Sequence, residues 1–137
     1  MARVRVTRRV HFSAAHRLSN PKFSDAENET LYGLCSNANW HGHNYELDVT
    51  VEGEIDPETG YVLDLKRLRE ITEEAVIDDL DHRNLNLDVN WLDGVIPSTE
   101  NLVVAIWNRL SPEIPDGRLV RLVLWETPRN SVEYTGE

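Results

Sequence analysis

A chain of 137 residues is long enough for one sizeable hydrophobic core and short for two, so residues 1–137 read as a single domain. With 40% hydrophobic and 28% charged residues the composition is that of a folded globular protein, far from a disordered one. The formal net charge of −10 argues against a general nucleic-acid binder, which needs clustered Lys and Arg against phosphate.

The apolar stretches, such as Leu102 to Trp107, are far below the roughly 20 residues that cross a bilayer, so no membrane span is expected. The first residues alternate Arg with Val and lack the continuous apolar segment of a secretory signal. Cys35 is the only cysteine, which excludes an intramolecular disulfide and gives no hint of an oxidising compartment. A cytoplasmic protein is expected.

In chain order, Val4, Val6, Val10 and Phe12 share one parity and predict a first half-buried strand. Residues 17–40 lose periodicity and collect Asn, Ser, Pro and Gly around one short helix at Ser24 to Tyr32. A long irregular segment inside a compact domain points to an active-site loop. From His41, Tyr45, Leu47, Val49 and Val51 face one way and Asn44, Glu46, Asp48, Thr50 and Glu52 the other, which predicts a second strand. Asp56-Pro57-Glu58-Thr59-Gly60 supplies a turn, with Tyr61 to Leu63 expected to return as a hairpin partner.

Asp64 caps a helix whose Leu65, Leu68, Ile71, Thr72, Ala75 and Val76 recur at helical spacing toward Leu80. Ser98-Thr99-Glu100 opens a second helix, with Leu102, Val103, Ile106, Trp107 and Leu110 as its buried stripe. Leu119 to Trp125 alternates as a third strand, and Val132 to Tyr134 as a short fourth. The reading is α+β: a four-stranded antiparallel sheet with two helices on one face. Apolar residues on the other face predict that sheets join on oligomerisation.

His41-Gly42-His43 places two imidazoles two residues apart on a strand, hence on one side, and Gly42 leaves space between them. His16 ends the first strand on the parity of Val10 and Phe12, so pairing of the first two strands can bring it alongside. Three neutral imidazoles with an open fourth position describe a catalytic zinc site. On spacing alone, His residues that hydrogen-bond in a core or face solvent are as good a reading.

Five segments bear on that choice: Phe12-Ser13-Ala14-Ala15-His16, Cys35 through His41-Gly42-His43-Asn44-Tyr45, Leu80-Asp81-His82-Arg83-Asn84-Leu85-Asn86, Ser98-Thr99-Glu100-Asn101, and Glu126-Thr127. In this order they resemble the motifs of the 6-pyruvoyl-tetrahydropterin synthase family, which includes 6-carboxy-tetrahydropterin synthases, and they span nearly the whole chain. The resemblance implies the tunnel fold, in which subunit sheets join into a barrel of trimers and two trimers stack into a homohexamer.

It also implies Zn2+ on His16, His41 and His43, catalytic roles for Cys35, Asp81 and His82, and a pterin pocket with Glu126, Thr99 and Glu100. The substrate it implies is 7,8-dihydroneopterin triphosphate, converted by a lyase to 6-pyruvoyl-tetrahydropterin with loss of triphosphate. A thiol must ionise to act as a base, and a carboxylate beside an imidazole can orient a proton relay. Taken without the resemblance, Asp81 and His82 read as ordinary loop residues, Thr99 and Glu100 as helix-capping residues.

Five residues separate Cys35 from His41, as in pyruvoyl-forming members. The alternative is a 6-carboxy-tetrahydropterin synthase of the queuosine pathway, which also releases acetaldehyde. A third branch cleaves dihydroneopterin by an aldol route, typically with Glu at or near the cysteine; Glu27 and Glu29 do not match that motif. A metal or pterin binder without turnover is the reading from another class. On so acidic a chain a triphosphate needs a local positive patch, for which Arg8, Arg9 and Arg17 flank the first strand and His16.

Overall fold

The alternation read in the sequence becomes one long antiparallel ribbon in the computed structural model, which describes residues 2–137. Strand β1 (Arg3–His16) pairs with β2 (His41–Glu54) from Arg3↔Glu54 to His16↔His41. Because side chains alternate across a strand, this register puts Val10, Phe12, Ala14 and His16 on the same face as Tyr45, Leu47, Val49 and Val51. Between them lies α1 (Asp25–Tyr32), opened by a capping box in which Ser24 and Glu27 satisfy each other's backbone N–H groups.

After β2 the chain turns at residues 57–60, with Gly60 N–H bonded to Asp56 C=O. The expected strand return at Tyr61 to Leu63 does not form: Leu63 is buried and Asp64 at once caps the next helix by accepting from Lys66 N–H. One apolar anchor followed by a capping carboxylate favours a helix start over a ladder.

That helix runs as α2 (Leu65–Thr72), a π-helical segment (Glu73–Ile77) and α3 (Asp78–Leu80). Arg109 Nε donates to the carbonyl of Ala75 inside the π segment, taking up an acceptor at the point where the α ladder is interrupted. Then come β3 (Arg83–Asn84), α4 (Thr99–Leu110), β4 (Arg118–Thr127) and β5 (Asn130–Tyr134).

The sheet has five strands in the order β3-β1-β2-β4-β5, one more than expected. The additional strand is β3, two residues parallel to Ala14 and Ala15 on the edge of β1, too short to leave a period in the sequence. Leu68, Ile71 and Val76 and, from α4, Leu102, Ile106 and Leu110 close over Phe12, Tyr45, Leu47, Val49, Leu122 and Leu124, all in one cluster. Among the described residues no helix is long and apolar enough to cross a membrane.

The opposite face carries less bare apolar surface than the alternation suggested. Arg9 binds Asp48 and Glu46, Arg5 and Arg118 bind Glu52, and Arg121 binds Glu133. The Arg9 guanidinium covers the Trp125 ring at 5.8 Å. Cross-strand ion pairs have taken the place of a wet apolar face.

Candidate active site

Register alone brings the three histidines together. His16 faces His41 across the ribbon and Ala14 faces His43, so all three rings sit at one end of the helix-covered face. Their candidate ligand atoms lie within 4.8 Å of one another. A Cβ on Gly42 would meet only the Ala14 carbonyl, at 3.5 Å, an ordinary contact, so the ring spacing follows from strand parity and owes nothing to a close approach at that glycine.

His16 is fully buried, and its Nδ1 lies 2.8 Å from the carbonyl oxygen of Pro97. A carbonyl only accepts, so Nδ1 carries the hydrogen and Nε2 keeps its lone pair. That Nε2, both ring nitrogens of His41 and Nε2 of His43 are buried with no hydrogen-bond partner among the described residues. Stranding a buried polar group costs about 1–3 kcal/mol, and three imidazoles sharing the same omission fit a cation that accepts their lone pairs.

Charge points the same way. Burial above all, then the neighbouring imidazoles, holds His16 below the usual histidine range against the opposing pull of the Pro97 bond. Burial, then His43, does the same to His41. Both rings are therefore held neutral, the form that ligates a metal. Tyr45 stacks on Phe12 at 4.8 Å and presents its ring edge-on to His16 and His43. Burial, followed by the Glu126 and Cys35 charges, raises its phenol well above the tyrosine range.

Glu126 leaves β4 beside the triad. One carboxylate oxygen accepts the Thr99 hydroxyl at 2.5 Å and the other lies 3.8 Å from His43 Nε2. Thr99 is the first residue of α4 and buried, so two expected site residues from distant segments meet here. Glu100, next in the chain, is exposed and takes no part in this bond. Cys35 lies in a single helical turn, Gly33–Ser36, whose place is fixed by Leu18 N–H bonding to the Cys35 carbonyl at 2.7 Å.

Asp81 and His82 form the expected pair, with Asp81 Oδ1 3.0 Å from His82 Nδ1. Ser13 holds them to β1: its N–H donates to Asp81 Oδ1 at 2.9 Å and its carbonyl accepts from His82 N–H at 2.6 Å. The Ser13 N–H and then His82 keep Asp81 below the ordinary carboxylate range. The His82 side chain is 83% exposed, and its backbone takes φ of 60°, a conformation that costs a non-glycine residue free energy. Among the described residues no hydrogen bond or ion pair joins Asp81 or His82 to the triad, to Cys35 or to Glu126.

Sequence reasoning missed the Pro97 carbonyl and the Tyr45 hydroxyl, which lies 3.4 Å from His16 Nδ1. A main-chain acceptor leaves no trace in residue identity, and Tyr45 is indistinguishable from a core aromatic by parity. Of the arginines expected near a triphosphate, Arg9 is bound by Asp48 and Glu46, and Arg17 Nε donates to the Ser36 carbonyl.

The family described as 6-pyruvoyl tetrahydropterin synthase matches residues 5–137. A 6-pyruvoyl tetrahydrobiopterin synthase from Pongo abelii is 50% identical over 96% of this chain and 91% of its own. A solved 6-pyruvoyl tetrahydropterin synthase from Caenorhabditis elegans superimposes with a TM-score of 0.94 at 38% identity, covering 100% of this chain and 98% of that one. More distant, a dihydroneopterin monophosphate aldolase from Pyrococcus furiosus is 35% identical over 96% of both chains.

Proposed function

The chain belongs to the 6-pyruvoyl tetrahydropterin synthase family, and from that premise we propose a zinc-dependent lyase that converts 7,8-dihydroneopterin triphosphate to 6-pyruvoyl-tetrahydropterin and releases triphosphate. The observation that carries the metal part is the set of buried, unpartnered imidazole nitrogens on His16, His41 and His43. A zinc ion held there supplies Lewis acidity toward the side-chain oxygens of the substrate.

The remaining work falls to side chains. Glu126 accepts the adjacent N–H groups of the pterin ring, and Thr99 fixes the carboxylate for that task. Glu100 lines the same pocket from the first turn of α4. Cys35, whose charge is felt by Tyr45 beside the triad, takes a proton from the carbon next to an oxygen-bearing carbon. The C–O bond to triphosphate breaks with its electron pair leaving on the triphosphate, and protons return elsewhere on the side chain.

Asp81 and His82 serve as the relay that returns them, Asp81 orienting the imidazole through Nδ1. The exposure of His82 and the absence, among the described residues, of a hydrogen bond or ion pair from it to the triad support a site completed by another copy of the chain, in keeping with a homohexamer of two stacked trimers. A cytoplasmic location suits an acidic chain with one cysteine.

The test is to supply 7,8-dihydroneopterin triphosphate to the zinc-loaded protein and identify products by mass spectrometry. The pyruvoyl product with no acetaldehyde is expected. Acetaldehyde with a 6-carboxy product transfers the chain to the other branch, and no consumption with zinc bound overturns the enzyme reading.

A further inference from the structure

A catalytic base carried on a loop works only if the loop is held in place. Cys35 sits in the helical turn Gly33–Ser36, near the end of the long irregular segment that follows β1. Two bonds tie that turn back to the strand. Leu18 N–H donates to the Cys35 carbonyl at 2.7 Å, and Arg17 Nε donates to the Ser36 carbonyl at 2.8 Å. Both donors lie just past the end of β1 at His16, where neither residue has a strand partner.

A side chain holds them instead. Asn86 accepts Arg17 N–H on Oδ1 at 2.9 Å and donates from Nδ2 to the Arg17 carbonyl at 2.9 Å. The main-chain pairing of β1 with the β3 segment ends at Ala15, whose carbonyl accepts Leu85 N–H at 2.8 Å. A primary amide offers an oxygen and an N–H side by side, the pair that a peptide group presents across a ladder. Asn86 therefore serves Arg17 as a strand partner would, beyond the point where the backbone ladder stops. It is itself fixed on both sides: Leu85 before it is fully buried, and Asn86 N–H donates to Asn84 Oδ1 at 2.9 Å.

We infer that Asn86 is a positioning residue for the Cys35 thiol, acting through the main chain of Arg17. The inference rests on the reaction proposed above for the role of the thiol, and on the bonds from Asn86 to Arg17 and from Arg17 and Leu18 to the turn for the route. Without the amide, the N–H and C=O of Arg17 lose their partners, and the turn at 33–36 loses the fixed base of both its ties. Residues 81–86 then carry the Asp81–His82 pair at one end and the anchor of the thiol at the other.

The experiment compares zinc-loaded wild type, Asn86→Ala, Asn86→Asp and Asn108→Ala, the last removing an exposed amide of α4 as a control. Steady-state kcat and KM are read beside the rate at which iodoacetamide alkylates Cys35, a half-buried thiol and the only cysteine in the chain. Misplacing a reacting group by about 1 Å can cost roughly a hundredfold, so Asn86→Ala should lower kcat at least tenfold with KM within about threefold. Alkylation should quicken at least threefold as the turn loosens, at unchanged zinc stoichiometry. Asn86→Asp keeps the acceptor and loses the donor, so it should fall between Asn86→Ala and wild type; Asn108→Ala should match wild type. In a Cys35→Ala background, removing Asn86 should change the residual kcat less than twofold, because a residue that acts through the thiol has nothing left to position.

An Asn86→Ala variant within twofold of wild type in kcat or in alkylation overturns the inference, as does a full loss of kcat repeated in the Cys35→Ala background. If Asn86→Ala does not fold, Asn86→Asp carries the same comparison. In a protein that consumes no pterin the alkylation rates decide alone: a threefold rise leaves the anchor standing and sinks the reaction instead.

Discussion

The Nδ1–H of His16 donates to the main-chain carbonyl of Pro97 across 2.8 Å. A loop just before α4 thereby selects which nitrogen of a β1 histidine faces His41 and His43. Two residues later the same segment supplies Thr99, whose hydroxyl holds Glu126. Residues 97–99 thus set both the metal end and the ring-binding end of the site.

Thr99→Val keeps the branched shape and replaces the hydroxyl with a methyl, leaving the Glu126 carboxylate without its short bond. Hydrogen bonds to charged groups are worth about 1.5–3 kcal/mol, so substrate KM should rise roughly tenfold or more while zinc content stays constant. Steady-state kinetics with parallel metal analysis reads both.

Cys35→Ala should reduce turnover at least a hundredfold, since general bases contribute about 10²–10⁴, with zinc stoichiometry unchanged because Cys35 is not among the three ligands. Asp81→Asn should also lower kcat, by removing the carboxylate that orients His82. Zinc lost together with activity in either variant would contradict this division of labour.

The depressed histidines make a signed pH prediction for the metal-free protein. His16 and His41 protonate less readily folded than unfolded, so below the unfolded value of about 6.5 the unfolded state binds more protons. Stability is full above that value and is lost as pH falls below it. Thermal melts of chelator-treated protein from pH 8 to 5.5 should show a falling Tm. Zinc binding should weaken over the same range, because protons compete for the same lone pairs.

Gly117 has φ of 72°, and a Cβ there would stand 2.5 Å from the Glu52 carbonyl oxygen. Gly117→Ala pairs backbone strain with a main-chain clash and should cost on the order of 1–3 kcal/mol, measured by urea unfolding.

The histidine cluster was legible because strand parity and ribbon register are both set by the apolar pattern: Phe12 and Tyr45 pair, and His16 and His41 follow four residues along each strand. Thr99 and Glu126 were each named from motifs, yet their contact depends on how α4 crosses β4, which no local pattern encodes. On the reverse face the Arg9 guanidinium covers the Trp125 indole, a cover that parity alone does not reveal. The ribbon register sets Arg5 opposite Glu52 and Arg9 opposite Asp48, pairings that depend on the register and were not read from the charges. The β3 strand and the π segment were illegible, one for its two-residue length, the other because a single inserted residue barely disturbs a helical stripe.

Everything proposed for catalysis depends on a metal at the three imidazoles, and the direct measurement is zinc stoichiometry and affinity by chelator competition in wild type, His41→Ala and His43→Ala. One zinc per chain in wild type, with affinity falling at least a hundredfold in each variant, is the predicted result. A wild type that binds no zinc at neutral pH, or variants that bind it as tightly, would contradict the account.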